Sequence, residues 1–391
     1  MRNSSYWSRF SSGRLQRRNF LAGGAGAMLT AGLAACGRSG SQPTKQSQAP
    51  QQASAGTPKT GGTLIDLLTY NPPLDPQRVS AAAQQAVGGS YSRIFRFKTG
   101  VDPKVITDHD LEPDLGVSVE SPDAITWTVK IRPDAKFHNV APVNGHAVEA
   151  EDIKASFTRA LDPANPNRGA LNMIDASQIQ TPDSTTVVFK LAFPYAPFRK
   201  TLASPTYSQL LPREALAGSY DPTKVVIGSG PFVAESLTPD VASIFKKNPD
   251  WFEKGRPYID TLKVAVVPDR SQQLAQFAAG NLDVLILDNT DDVATAQQRV
   301  AKAQVFKAQR ASPFPIYFQM GDPSSPFQDI RLRRAVSMAL NRDVLAKVVF
   351  NGEAEQAVFV PSYMGKWSVK VPDLPADLRK WYSYSPADVK Q

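Results

Sequence analysis

Cysteine is nearly absent from this chain of 391 residues, for Cys36 is the only one. A single thiol excludes an internal disulfide and a metal site built from thiolates. Histidine is almost as scarce. His109, His138 and His146 are the three present, and they lack the H-E-x-x-H spacing of a zinc hydrolase. Ser229 stands in GSGP rather than G-x-S-x-G, so the turn that exposes a nucleophilic serine is missing too. Asp108, His109 and Asp110 precede LEPDL in what reads as a surface loop, which is read as neither metal site nor catalytic centre. No basic run interleaved with aromatics occurs, which argues against a nucleic-acid partner.

The formal net charge of +8 has a local origin. Arg2, Arg9, Arg14, Arg17 and Arg18 precede the first acidic residue, and without residues 1–35 the balance is 39 basic against 36 acidic side chains. The apolar run that follows, FLAGGAGAMLTAGLAA at 20–35, has 16 residues and contains Gly23, Gly24, Gly26 and Gly32. A bilayer-spanning helix needs about 20 apolar residues, so a permanent span is disfavoured. A basic start, a short apolar run and the small Ala34 and Ala35 are the layout of a signal peptide over residues 1–35.

Within that leader, Arg17 and Arg18 followed by Asn19, Phe20 and Leu21 resemble the twin-arginine export signal, with general secretion as the alternative route. Leu33, Ala34, Ala35 and Cys36 resemble the lipobox of bacterial lipoproteins. That resemblance implies cleavage before Cys36, diacylation of its sulfur and membrane lipid as a partner. A thiolate is the side chain best suited to such an alkylation, and each buried acyl methylene contributes about 0.8 kcal/mol. Residues 36–60 then read as a flexible polar tether, since from Gly37 to Thr60 there is no aromatic or large aliphatic residue to offset the entropy of ordering. Such a coil spans on the order of 27 Å.

Beyond Gly61 the patterns are those of a folded α/β protein. Thr63–Thr69 is an apolar run after a Gly-Gly pair and predicts a strand, followed by the turn-rich NPPLDP. Ile125, Trp127, Val129 and Ile131 alternate with Thr126, Thr128 and Lys130, the period of a half-buried strand. From Glu149 to Leu161 the residues Ile153, Phe157, Ala160 and Leu161 share one helical face. Asp269 and Gln272 suggest a capping box, Gly280 a helix end, and Leu282–Leu287 a further strand. Strands alternating with helices imply the α/β class.

Four stretches in order carry a family resemblance: TWTVKIRPDAKFHN with VNGHAVEAEDIKASFTRALDP; GSGPF (228–232) with KKNPDWF (246–252); AGNLDVL (279–285); and SPFQDIRLRRAVSMALNRDVL (325–345). Together they resemble the family 5 extracellular solute-binding proteins, the peptide, nickel and oligopeptide class of bacterial ABC importers. Each stretch also has a scaffold reading. Gly228 and Gly230 suit turns before Pro231, Asn248-Pro249-Asp250 is turn chemistry, and Asp329 suits a cap for the helix through Ala335, Val336 and Leu340. Arg331, Arg333 and Arg334 read as a solvated or ion-paired face.

The resemblance implies a type II periplasmic-binding fold of two lobes closing on a cleft, with an extra domain. Residues 61–105 and 222–311 would form the first lobe, 106–221 the extra domain, and 312–391 a partial second lobe. Ligands of open α/β sheets bind beyond the carboxyl ends of strands. That rule selects Thr69, Tyr70 and Asn71, then Asp288, Asn289 and Thr290, then Gln319 and Met320 after a crossover strand FPIYF. Asp288 and Asp291 also suit helix caps. Family members run on by roughly a hundred residues past the position of Gln391, so the expectation is an incomplete second lobe that exposes apolar surface and binds poorly alone.

The functional expectation is a monomeric, lipid-anchored, extracytoplasmic protein that passes a small solute or short peptide to an ABC permease, without a cofactor. A membrane-anchored hydrolase lacking a recognisable motif is the alternative from another class. A sensor handing the same solute to a signalling receptor is a third.

Overall fold

The computed structural model describes residues 58–71, 73–78, 87–98, 111–307, 315–356, 358, 360 and 368–390. The leader, Cys36, the tether up to residue 57 and the Asp108–Asp110 cluster lie outside the described residues. Residues from Thr57 onward form one compact unit.

Ten strands occur among the described residues: β1 Thr63–Leu68, β2 Phe95–Phe97, β3 Leu111–Pro113, β4 Gly116–Glu120, β5 Thr126–Ile131, β6 Ile174–Asp183, β7 Thr186–Leu191, β8 Phe232–Thr238, β9 Ala242–Lys247 and β10 Thr261–Val266. They make two four-stranded sheets, ordered β1-β10-β9-β8 and β4-β5-β7-β6, and the two-stranded β2-β3. β1 is parallel to β10, whereas β10, β9 and β8 pair antiparallel. The chain between β1 and β8 supplies the whole of the second sheet.

The alternation read at 125–131 sets the register of that second sheet. Trp127, Val129 and Ile131 are buried, and Trp127 and Val129 stand opposite Phe189 and Val187 of β7. Helix α1, Ala150–Ala160, lays Ile153, Phe157 and Ala160 on the core, and Phe157 meets Phe189 edge-on at 5.2 Å between ring centroids. Burying each of these larger side chains contributes about 1.5–3 kcal/mol. Leu161 falls on the C-cap and stays partly open. The helix starts at a reciprocal capping box between Glu149 and Asp152.

The GSGPF stretch works by close approach. Neither Gly228 nor Gly230 has a positive φ, so the turn explanation is corrected. A Cβ on Gly228 would lie 2.0 Å from the Ser90 carbonyl oxygen, and one on Gly230 2.7 Å from that of Gly89. The Gly230 carbonyl in turn accepts from His138 Nε2 at 3.1 Å and Asn248 Nδ2 at 2.9 Å. KFHN, GSGPF and KKNPDWF therefore meet around one oxygen. The NPPLDP loop is fixed likewise. Asp75 pairs with the buried Arg159 of α1, and Gln77 Nε2 donates to Ser156 O at 3.0 Å and Gln209 O at 3.2 Å.

Helices α2 (Phe198–Thr201) and α3 (Arg213–Leu216) are single turns, followed by α4 (Arg270–Ala278), α5 (Thr290–Arg299), α6 (Ile330–Ala339), α7 (Arg342–Val349) and α8 (Ala376–Arg379). Asp269 caps α4 by accepting from Gln272 N at 2.8 Å, and Gly280 ends it at φ +76°. The reciprocal half of the expected box, from the Gln272 side chain, is not made.

Two expected strands are absent. Leu282–Leu287 runs beside β1 but makes one rung, because Asp283 N donates to Ile65 O at 2.9 Å while the Ile65 N–H is taken by the Asp283 carboxylate at 2.7 Å. The side chain replaces the carbonyl that would continue the ladder. Of FPIYF, Phe314 lies outside the described residues, and 315–318 form no strand and find no partner strand among the described residues, with Tyr317 89% exposed. From residue 312 onward, Met338 is the one buried hydrophobic side chain among the described residues. Ile330, Val344 and Val348 stand open.

Candidate functional site

Because β1 and β10 are parallel, their carboxyl ends share one edge of the first sheet. Thr69, Tyr70 and Asn71 follow β1 there. Val267 N donates to Leu68 O at 2.8 Å, so the chain after β10 leaves along the same edge into the Asp269 cap of α4. Arg270 Nη1 donates to Ile286 O at 2.9 Å, and its Nε lies 3.6 Å from Asp292 Oδ2. These contacts bring the loop 286–290 to the start of α4. Two of the three stretches chosen from sequence thus stand at one edge.

Their side chains have different duties. Asn71 clamps the β8–β9 turn: its Oδ1 accepts from Asp240 N at 2.8 Å and its Nδ2 donates to Asp240 Oδ1, which holds Asp240 at φ 60°. Thr69 is exposed, and the Tyr70 ring is 45% exposed with no hydrogen bond to its hydroxyl among the described residues. Asn289 is the N-cap of α5, accepting from Asp292 N at 2.7 Å, so the cap is neither Asp288 nor Asp291. Asp288 precedes that cap. Thr290 Oγ1 accepts from Asn351 Nδ2, and Lys307 pairs with Glu353, which joins the segment after α7 to the first-sheet side.

Gln319 and Met320 stand apart. Gln319 is exposed, and Met320 contributes its carbonyl to Gln328 Nε2 at 2.6 Å. No hydrogen bond or ion pair among the described residues joins either to 69–71 or 288–290. A groove of about 650 Å³ lies elsewhere again, lined by residues including Arg342, Asp343, Glu355, Lys370, Arg379 and Tyr384.

Among the buried groups that titrate far from their ordinary range are a histidine and an aspartate. Burial drives the His138 imidazole down to about 4, against the bond to Gly230 that favours its charged form. Burial lifts the Asp114 carboxyl to about 6, although the Arg93 N–H and the charges of Arg93 and Arg96 pull it back. Neither group was selected as a site residue, and both belong to the scaffold.

One further cluster lay scattered in the sequence. His146, Asp152 and Glu214 bring ligand atoms within 4.8 Å of one another at the amino end of α1. Spacings of 6 and 62 residues match no short motif, so only the fold reveals it.

Residues 110–390 match the family model described as bacterial extracellular solute-binding proteins, family 5 middle. Among curated relatives, di/tripeptide-binding protein 2 of Pseudomonas aeruginosa is 28% identical over 277 residues, covering 66% of this chain and 51% of its own length. Heme-binding protein A of Haemophilus influenzae is 25% identical over 377 residues, covering 90% of this chain and 66% of its own. The chain thus spans about half to two thirds of these relatives. The structure of the periplasmic binding protein DppA from Helicobacter pylori in complex with the peptide STSA superposes with a TM-score of 0.67 at 22% identity, over 85% of this chain and 65% of that one. The fold is the type II periplasmic-binding fold.

Proposed function

We propose that this chain, which belongs to the bacterial extracellular solute-binding proteins of family 5, captures a short peptide outside the cytoplasm and delivers it to the permease of an ABC importer. Members of the family are binding proteins rather than enzymes. The observation that carries the reading is the shared edge of β1 and β10: the half-exposed Tyr70 follows β1 there, and Arg270, at the start of the helix that follows β10, holds the ends of the 286–292 segment. An exposed aromatic face with polar loop side chains on the same edge suits a peptide, whose backbone and side chains offer both chemistries. The naming of one relative for di- and tripeptides favours the same solute class, whereas another is named for heme.

In this reading residues 61–105 and 222–311 form one lobe, residues 106–221 the extra domain, and 312–391 part of the lobe that closes on the ligand. The leader directs export, and acylated Cys36 holds the mature chain on the membrane through the 36–60 tether. No helix of the described residues is long and apolar enough to cross a membrane. Mass spectrometry of the membrane fraction tests the anchor: a diacylated Cys36 at the amino terminus is expected, and an unmodified Cys36 inside a longer mature chain would refute it.

A further inference from the structure

His146 Nδ1 lies 2.8 Å from the Ala147 carbonyl oxygen. A carbonyl only accepts, so Nδ1 carries a proton and the ring of a neutral His146 presents the lone pair of Nε2. That lone pair faces Glu214 Oε2 at 3.3 Å, and a carboxylate also only accepts. Two acceptors at this separation repel unless a positive charge stands between them.

Asp152 supplies the third ligand atom from the first turn of α1. It is wholly buried and held from two sides, by Glu149 N at 2.9 Å and Arg213 N at 3.2 Å. Arg213 is the local cation, with Nη2 3.0 Å from Glu149 Oε2 and Nε 3.4 Å from Asp152 Oδ1. Glu149, Asp152 and Glu214 therefore outnumber Arg213 by three carboxylates to one guanidinium. A divalent cation balances that excess, whereas one proton on His146 does not.

We propose that His146, Asp152 and Glu214 bind a divalent transition-metal cation, best matched by Zn²⁺, which staples α3 to the amino end of α1. One imidazole nitrogen with carboxylate oxygens is a donor set for Zn²⁺, while Mg²⁺ and Ca²⁺ prefer oxygen alone. The Nδ1–H bond to Ala147 O is the outer partner that metal-bound histidines use to fix their tautomer. His146 and Glu214 side chains are 25% and 23% exposed, which leaves room for water to complete the coordination. The role is structural, since the cation would sit at a helix start, and no hydrogen bond or ion pair among the described residues joins His146, Asp152 or Glu214 to 69–71 or 288–290.

The full chain, stripped with chelator and dialysed against Zn²⁺ at pH 7.5, is expected to bind one equivalent at micromolar Kd or tighter, with a rise in Tm that millimolar Mg²⁺ does not reproduce. His146→Gln and Glu214→Gln should each weaken uptake at least tenfold. Because the His146 ring packs against Phe137 at 5.1 Å, the more conservative Glu214→Gln, checked for an unchanged metal-free Tm, guards against a folding artefact. No uptake by the parent chain, or uptake unaffected by Glu214→Gln, would overturn the assignment.

Discussion

His138 grips the GSGPF stretch with both ring nitrogens: Nε2–H donates to Gly230 O at 3.1 Å, and Nδ1 accepts from Gly228 N at 3.3 Å. Only the neutral ring makes both bonds. Its folded pKa of about 4 lies below the ordinary 6.5, so the stabilisation is full above pH 6.5 and is lost as pH falls through 4. The shift corresponds to roughly 3 kcal/mol.

Asp114 works in the opposite sense. Its folded pKa of about 6 lies above the ordinary 3.8, so its contribution is full below 3.8 and is lost as pH rises through 6. That shift is also roughly 3 kcal/mol. Between pH 4.5 and 6 the two groups offset one another. Urea unfolding of Asp114→Asn should therefore show stability falling as pH is lowered across this window, and His138→Leu should show it rising. Parallel pH profiles for parent and both variants would contradict the account.

Gly228→Ala and Gly230→Ala place a methyl group against the Ser90 and Gly89 carbonyls. Backbone is on both sides of the contact, so no side chain can swing away. Each substitution is expected to cost about 3 kcal/mol or more in denaturant unfolding. A loss under about 1 kcal/mol would mean that the 88–92 segment yields freely.

Much of the second sheet was legible because periodicity reports burial directly: Trp127, Val129 and Ile131 alternate in the sequence as they do in the core. The α1 face was readable for the same reason, through Ile153 and Phe157. The segment at 282–287 looked like a strand because it is apolar, yet Asp283 spends its carboxylate on Ile65 N and stops the ladder after one rung. A local pattern cannot register such a substitution of side chain for backbone. Clusters built across long separations were hidden likewise. Asp75 and Arg159 are 84 residues apart, and Gly230 collects donors from positions 138 and 248. Among the candidate site residues, sequence placed Tyr70 and the 288–290 loop at a common sheet edge, but could not tell that Asn71 and Asn289 spend their amides on a turn and a helix cap.

That division of labour separates two neighbours. Asn71→Ala removes the clamp on Asp240 at φ 60°, so it should lower stability by about 1 kcal/mol and weaken ligand binding indirectly. Tyr70→Ala removes an exposed ring and should leave Tm nearly unchanged. Equal losses of Tm in the two variants would show that Tyr70 is packed for stability.

The most direct test of solute capture is isothermal titration of the protein, purified as its own cells make it, with di-, tri- and tetrapeptides. Saturable 1:1 binding is expected for at least one length, weakened about 2- to 30-fold by Tyr70→Ala, the range for loss of an aromatic contact of about 0.5–2 kcal/mol. Absence of saturable binding to every peptide, or hydrolysis of the peptide during the titration, would contradict the account.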